Sequence, residues 1–236
     1  MKKIAKKKEN AQATVARQQN IILDDDSPFI MQEAYKTLRT NLLFTLRGNG
    51  SKRFCITSTM PGEGKSITIL NLAISIAQTG KKVLLIDADL RRPALARLLG
   101  DDLVPGMSNV LVGQVNIENA IRENVRTNLD VLYSGDVPPN PSELLGSEQM
   151  QDLIEAVSQE YDYVLVDAPP VNLVSDSCII ANFLDGIVLL ARCGIARKDG
   201  VKQAINQLRI TNSRVLGCVL NGVEMSTKKY YHYNYR

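Results

Sequence analysis

The sequence predicts a three-layer α/β/α fold, in which helices cover both faces of a mostly parallel sheet. Two observations indicate it. Short continuous apolar runs, typical of strands buried on both faces, alternate with helical patterns along the 236 residues. A glycine-rich turn also joins the first of these strands directly to a helix. Because such alternation builds parallel sheets, we expect one large α/β domain over residues 27–223.

Composition and cysteine spacing are those of a globular protein from a reducing compartment. Hydrophobic residues make up 44% of the chain, and the net charge is +3. The four cysteines form no C-x-x-C pair, and only one histidine is present, which argues against a disulfide framework or a zinc site. We therefore expect four small buried thiols. No apolar run approaches the roughly 20 residues of a membrane span, so we expect a cytoplasmic protein.

The first 26 residues are polar and begin with a lysine-rich run, so we expect a basic mobile tail. This run is either simply solvated or attracted to an anionic membrane surface. Ser27 and Pro28 then predict a helix start, with Ser27 as the N-cap and Pro28 in the first helical position. Gly48 is the expected stop, and the predicted apolar stripe consists of Ile30, Ala34, Leu38, Leu42 and Leu46. On another face Glu33, Lys36 and Arg39 form either local ion pairs or a charge seam between subunits.

The glycine turn follows the apolar strand within the segment FCITSTMPGEGKSI, residues 54–67. Strand, glycine turn, Lys-Ser and helix is the arrangement of a phosphate-binding P-loop, because backbone N–H groups and the helix N-terminus attract anions. Lys65 can reach nucleotide phosphates, and the Ser66 hydroxyl can bind Mg²⁺. Thr59 occupies the position of the usual first glycine. A chance glycine turn is the alternative, but the context favours a P-loop NTPase with nucleotide-binding residues Pro61, Gly62, Glu63, Gly64, Lys65, Ser66 and Ile67.

Carboxylates follow two further buried strands. Asp87 and Asp89 come after the apolar run at 83–86, and Asp167 follows the strand predicted at 161–166. The carboxyl ends of parallel strands are where α/β folds bind ligands. A carboxylate directly after a strand is also typical of the second metal-binding element of P-loop enzymes. The sequence therefore predicts a metal–phosphate centre formed by these side chains.

The remaining elements are expected in the same alternating series. We predict short helical pieces over 93–126, a strand at 129–133 and a helix at 142–159. The series then continues with a helix at 173–182, a strand at 186–191, a helix at 199–210 and a strand at 214–220. Residues 224–236 lack an apolar period, so we expect a mobile tail. It carries either an aromatic, basic binding segment or exposed phenols for modification, at Tyr230, Tyr231, Tyr233 and Tyr235.

Together these motifs resemble those of bacterial tyrosine kinases. The resemblance rests on the loop PGEGKS, the strand end D-x-D-x-R at 87–91, the strand VLVDAP at 164–169 and the tyrosine-rich end. The segment Glu33-x-x-Lys36-x-x-Arg39 is similar to the family's E-x-x-R-x-x-R oligomerisation signature, with lysine in the middle. The resemblance covers residues 27–236 and is greatest to the separate cytoplasmic subunit of capsule and exopolysaccharide systems.

The resemblance implies ATP-dependent phosphorylation of protein tyrosine. Lys65 would stabilise the transferring phosphoryl group, while Ser66, Asp89 and Asp167 would hold Mg²⁺. Asp87 would be the first candidate for the base, with Asp89 as the alternative. Asn221 would contact the adenine of ATP.

The same resemblance implies acceptors, partners and a place in the cell. The acceptors would be the four tail tyrosines, phosphorylated in trans within a homo-oligomeric ring that uses Glu33, Lys36 and Arg39. The implied partners are a transmembrane activator of the chain-length-determinant type, a cognate tyrosine phosphatase and protein substrates of polysaccharide synthesis, with no nucleic acid. The activator would recruit the kinase to the inner face of the plasma membrane.

The rival class is a partitioning or septum-positioning ATPase of the same fold, which acts as a nucleotide-dependent binding switch. Those proteins carry a second lysine early in the P-loop, where this chain has Met60. The membrane-targeting ones end in an amphipathic helix, where this chain has tyrosines. Both features favour the kinase.

Overall fold

The computed structural model describes residues 21–46 and 50–223. They form a seven-stranded sheet with the strand order β3-β4-β2-β5-β1-β6-β7, in which only the β3–β4 pair is antiparallel. The strands are β1 Lys52–Ser58, β2 Val83–Asp87, β3 Ile121–Arg126, β4 Leu129–Leu132, β5 Tyr163–Asp167, β6 Gly186–Arg192 and β7 Val215–Asn221. The helices are α1 Phe29–Thr45, α2 Lys65–Ala77, α3 Leu95–Leu99, α4 Met107–Leu111, α5 Ile117–Ala120, α6 Pro141–Leu145, α7 Glu148–Glu160, α8 Asp176–Ala181 and α9 Lys198–Ile210. The predicted fold class is confirmed.

Two apolar clusters form the core, one on each face of the sheet. Successive strand residues point to opposite faces, so Leu84 and Ile86 of β2 belong to one cluster and Leu85 to the other. The first cluster includes residues of α7 and α9, and the second includes residues of α1 and α2. This two-sided burial explains why the central strands read as unbroken apolar runs. In the part of the chain that the structure describes, no helix is long and apolar enough to span a bilayer.

The start of the domain differs from the prediction. The sequence predicts a mobile tail that includes residues 21–26, but Ile22 and Leu23 are buried in the core. Asn71 of α2 tethers them, accepting from the Leu23 N–H at 2.8 Å and donating to the Ile21 carbonyl at 2.8 Å. The rest of the basic tail, residues 1–20, lies outside the described residues.

Ser27 is not the N-cap of α1, because Pro28 occupies that position. The Ser27 hydroxyl instead accepts from the Asp24 N–H at 2.9 Å and donates to the Asp24 carboxylate at 2.8 Å. Of the predicted apolar stripe, Leu42 and Leu46 are buried, whereas Ala34 is exposed. The predicted stop, Gly48, lies outside the described residues.

Three further expectations are corrected. The predicted helical region 93–126 ends in strand β3, which carries charged residues typical of a sheet edge and forms only by pairing with β4. The predicted helix 142–159 is divided into α6 and α7 by Gly146, and Ser147 caps α7. Cys55 and Cys178 are buried as expected, but Cys193 and Cys218 are exposed because they lie at the β6–β7 edge of the sheet.

Candidate active site

Three neighbouring strands end at one place and carry the predicted site. β2, β5 and β1 are adjacent in the sheet, and Asp87 at the end of β2 is in register with Asp167 at the end of β5. The chain leaves β1 at Ser58, turns through residues 59–64 and enters α2 at Lys65. The sheet therefore places the glycine loop and the carboxylates at one edge, where parallel α/β folds bind ligands.

The loop conformation depends on glycine. Gly62 and Gly64 have φ angles of 82° and 93°, in the left-handed region that other residues rarely adopt. A Cβ atom on Gly64 would lie 2.4 Å from the Asn221 side-chain nitrogen. That side chain also donates to the Glu63 carbonyl at 2.8 Å. Asn221, at the end of β7, thus holds the loop from the β7 side.

Thr59 takes the place of the first glycine by pairing with Glu63. The Thr59 hydroxyl donates to one carboxylate oxygen of Glu63 at 2.6 Å, and its backbone N–H donates to the other at 3.0 Å. Glu63 is fully buried and Thr59 almost so. The departure from the usual motif is therefore matched by an acid four residues later. Spacing alone did not reveal this pair.

Lys65 lies among carboxylates. Its ammonium is 2.6 Å from an Asp167 oxygen and 3.5 Å from an Asp89 oxygen, and it lies 3.4 Å from the Ser66 hydroxyl. Burial by itself lowers the pKa of Lys65, but the charges of Asp167 and Asp89 outweigh it, so the pKa is raised above its usual value. The lysine is therefore charged at neutral pH.

The pKa values of Asp87 and Asp167 are both raised above the usual value of an aspartate. Burial, and then the charge of Asp167, raise the pKa of Asp87 to about 7, although backbone N–H groups of Leu95 and Ala94 oppose the shift. Burial also raises the pKa of Asp167, against the opposing effect of Lys65. Both Ala94 and Leu95 donate to one Asp87 oxygen at 3.0 Å. Asp87 thus also anchors the start of α3.

A cavity of about 620 Å³ opens beside these groups. Asp89, Lys65 and Ser66 line it, whereas the buried Asp87 and Asp167 do not. The second oxygen of Asp167 is buried and has no hydrogen-bond partner among the described residues. No group of three or more His, Cys, Asp or Glu side chains suited to hold a metal is found there. The residues fit Mg²⁺ bound jointly by the Ser66 hydroxyl, the carboxylates and phosphate oxygens, as in P-loop enzymes.

The sequence did not predict an ion pair between exposed Arg91 and buried Asp176 on the β2 side of the cavity. Arg91 donates to the two oxygens of Asp176 at 2.8 and 3.2 Å and to the Ser142 hydroxyl at 2.9 Å. Ser142 also donates to Asp176 at 2.6 Å. Asp176 is fully buried, so this contact ties α6 and α8 to the loop after β2. The only sequence signal was Arg91 itself, as the last residue of D-x-D-x-R.

Asn221 and the predicted residues of α1 do not line this cavity. A second cavity of about 460 Å³ borders Asn221 between α1, α2 and β7. On α1, Lys36 pairs with Glu33 at 2.7 Å. Arg39 contacts α2, donating to the Ser75 carbonyl and, at 3.2 Å, to its hydroxyl. The tail tyrosines at 230–235 lie outside the described residues.

Known proteins share this arrangement. Residues 51–216 match the family model described as an AAA domain. The tyrosine-protein kinase YwqD of Bacillus subtilis is 40% identical over 216 residues, which are 92% of this chain and 91% of that protein. The chain belongs to the bacterial tyrosine kinase family. The tyrosine-protein kinase CpsD of Streptococcus agalactiae serotype III is 38% identical and covers 84% of this kinase and 85% of its own length.

Solved structures of related proteins support this family assignment. The kinase domain of the Escherichia coli tyrosine kinase ETK superposes on this kinase with a TM-score of 0.80 at 33% identity, covering 87% of this chain and 84% of that one. The chimerical protein CapA2B2 has the same TM-score and identity, covering 85% and 87%. The Pyrococcus furiosus cell division ATPase MinD, from the rival class, is less similar, with a TM-score of 0.62 and 26% identity over 75% of each chain. The kinase prediction is thus confirmed at the level of the family, and the fold is that of a P-loop NTPase.

Proposed function

We propose that this tyrosine kinase transfers the γ-phosphoryl group of ATP to the tyrosine cluster of a neighbouring copy and thereby regulates capsular or extracellular polysaccharide synthesis. One observation carries the proposal. A phosphate-binding loop, a charged lysine and three buried aspartates meet beside one cavity. The acceptors would be Tyr230, Tyr231, Tyr233 and Tyr235. Tyr230 is nine residues beyond Asn221, a reach of roughly 30 Å for an extended chain.

Phosphoryl transfer requires mainly positioning and neutralisation of charge. Asp167 and Asp89 hold Lys65 at the cavity. Its ammonium would contact the β- and γ-phosphates of bound ATP from there. Ser66, Asp89 and Asp167 would hold Mg²⁺, which when bound neutralises charge on the phosphates. Asn221 would border the adenine, since it lies on the far side of the loop from Asp89.

In the transfer step the phenol oxygen forms a bond to the γ-phosphorus while the bond to the ADP oxygen breaks. The phenol proton passes to a carboxylate of the kinase. Asp87 is the first candidate, because a pKa of about 7 suits a base that works near neutral pH. Asp89 is the alternative, because it lines the cavity directly. Comparing Asp87→Asn with Asp89→Asn distinguishes the two.

The proposed partners follow from the resemblance to kinase subunits of capsule and exopolysaccharide systems. A transmembrane activator would supply a cytoplasmic tail and recruit the kinase to the inner membrane face, and a tyrosine phosphatase would reverse the reaction. The kinase would assemble into a ring through Glu33, Lys36 and Arg39. In support, the side chains of Glu33 and Lys36 are 32% and 47% exposed on α1. Arg39 is tied to Ser75 and would act through the position of α1.

The test is to incubate the purified full chain with Mg-ATP, with and without the activator's cytoplasmic tail, and to map phosphotyrosine by mass spectrometry. We expect phosphate on the four tail tyrosines. Replacing all four by Phe should remove self-labelling while an added tyrosine substrate is still phosphorylated, which is the control for an intact site. Strong self-labelling of the four-Phe variant would show that the acceptors lie elsewhere.

A further inference from the structure

The cavity has two ends, which the strand order defines. Along the carboxyl edge of the sheet the order is β2, β5, β1, β6 and β7. The phosphate loop follows β1, so β6 and β7 lie on one side of it and β5 and β2 on the other. Asn221 and the second cavity occupy the β7 side, which leaves the β2 side for the acceptor tyrosine. The loops after β2 and β5 therefore form the acceptor end.

The cavity is lined by far more positive than negative charge. Its lining contains five cationic side chains, Lys65, Arg91, Arg92, Arg97 and Arg192, against a single carboxylate, Asp89. Three of the five already have partners: Lys65 pairs with Asp167 and Asp89, Arg91 pairs with Asp176, and Arg192 contacts the Gly62 carbonyl at 3.4 Å from the β6 side. The other two cationic side chains are arginines at the acceptor end.

Arg92 and Arg97 are those two. Both are exposed, and neither guanidinium has a hydrogen-bond or ion-pair partner among residues 21–46 and 50–223. Backbone contacts hold their main chains, since the Arg92 N–H donates to Asp89 at 3.0 Å and Arg97 lies in α3, whose start Asp87 anchors. Asp89 and Asp87 thus fix the main chain around the two arginines, while the two guanidinium groups can still bind an anion.

The tail that should enter this end is itself basic. Residues 224–236 contain Lys228, Lys229 and Arg236 against one acid, Glu224. An unmodified tail is therefore repelled by the arginines. Each phosphorylated tyrosine adds about −1.5 to −2 charges, and the four tyrosines lie within six residues, 230–235. A phosphate placed two residues from the acceptor lies within roughly 7 Å of it in an extended chain.

We propose that Arg92 and Arg97 form an anion site that binds a phosphotyrosine of the tail while a neighbouring tyrosine occupies the active site. This inference rests on the tail acceptors of the proposed function. Guanidinium groups suit the role, because they bind phosphate through bidentate, charge-assisted hydrogen bonds. The first phosphorylation of a tail is then slow, and the later ones are faster.

The test uses two peptides of residues 224–236 in which Tyr231 is the sole acceptor, through Tyr230→Phe and Tyr235→Phe. One carries phosphotyrosine at position 233 and the other carries Tyr233→Phe. The enzyme is the full chain with its four tail tyrosines changed to Phe, so that it cannot label itself. We expect kcat/KM to be about tenfold higher for the phosphorylated peptide. In the Arg92→Gln, Arg97→Gln double variant the ratio should fall to within twofold of one.

Two measurements distinguish this site from other roles. The double variant should bind Mg-ADP as tightly as the parent enzyme; weaker binding in step with the lost preference would place the arginines in the nucleotide site and overturn the inference. Arg209→Gln, an exposed arginine on α9 outside the cavity, is the matched control and should keep the full preference.

Equal rates on the two peptides in the parent enzyme, or a preference that survives in the double variant, refute the anion site and leave the proposed function intact. If the enzyme phosphorylates a generic tyrosine polymer but neither tail peptide, the tail tyrosines are not its acceptors. That result would refute both this part of the proposed function and the anion site.

Discussion

The Thr59→Val substitution tests how this phosphate loop manages without its first glycine. The change removes the hydroxyl that donates to Glu63 at 2.6 Å, while the Thr59 N–H, which donates at 3.0 Å, remains. Valine has nearly the shape of threonine, so little volume is lost. The carboxylate oxygen that loses its donor is fully buried and cannot be reached by water. The substitution therefore isolates one hydrogen bond inside the loop.

The expected cost follows from that geometry. A hydrogen bond to a charged group contributes about 1.5–3 kcal/mol to stability. A buried acceptor that loses its donor is not compensated by water, so the folded state loses this whole contribution. We expect the free energy of unfolding to fall by about 2 kcal/mol. For a chain of this size that lowers Tm by roughly 4–8 °C. Mg-ADP should also bind more weakly, because Glu63 helps to shape the loop.

The assay is urea unfolding followed by circular dichroism, alongside Mg-ADP binding measured by calorimetry. Thr40→Val is the matched control, because the Thr40 hydroxyl donates to the Lys36 carbonyl at 2.8 Å on the exposed side of α1. Its effect should stay within about 0.5 kcal/mol. If Thr59→Val is as stable as this control and binds Mg-ADP normally, the Thr59–Glu63 pair does not hold the loop.

Three further predictions concern the site and the assembly. Lys65→Met should reduce tyrosine phosphorylation to background and lower stability by about 3 kcal/mol, because buried Asp167 loses its cation; wild-type labelling in a radiolabelled-ATP assay would contradict the assignment. For Asp87, whose pKa is raised from 3.8 to about 7, the folded state binds the extra proton between those values, so stability should fall as pH rises through that window. The value of kcat/KM for ATP should rise between pH 6 and pH 8, because the base must lose its proton. In Asp87→Asn both the fall in stability and the rise in kcat/KM with pH should become smaller. A wild-type kcat/KM that does not rise over this range would exclude Asp87 as the base. Finally, light scattering should show a ring for the wild type and smaller species for the Glu33→Ala, Lys36→Ala double variant, whereas identical masses would remove these residues from the interface.

Local patterns were sufficient to predict the fold class and the centre of the site. The strands are buried on both faces, so their apolar runs stand out, and the loop and its lysine occupy consecutive positions. Asp87, Asp89 and Asp167 could be placed together because parallel strands end at a common edge. Strand β3 could not be predicted, because its charged sequence becomes a strand only beside β4.

Periodicity and neighbouring positions along the chain are thus enough to specify a P-loop α/β fold with its lysine, serine and aspartates at one edge of a parallel sheet. Folding of the chain then determined which groups meet. It paired Thr59 with Glu63, joined Arg91 to Asp176 across 85 residues, and anchored Ile22 and Leu23 in the core. The physical reason is that a hydrogen bond or an ion pair depends on distance in space, which the order of residues along the chain does not specify.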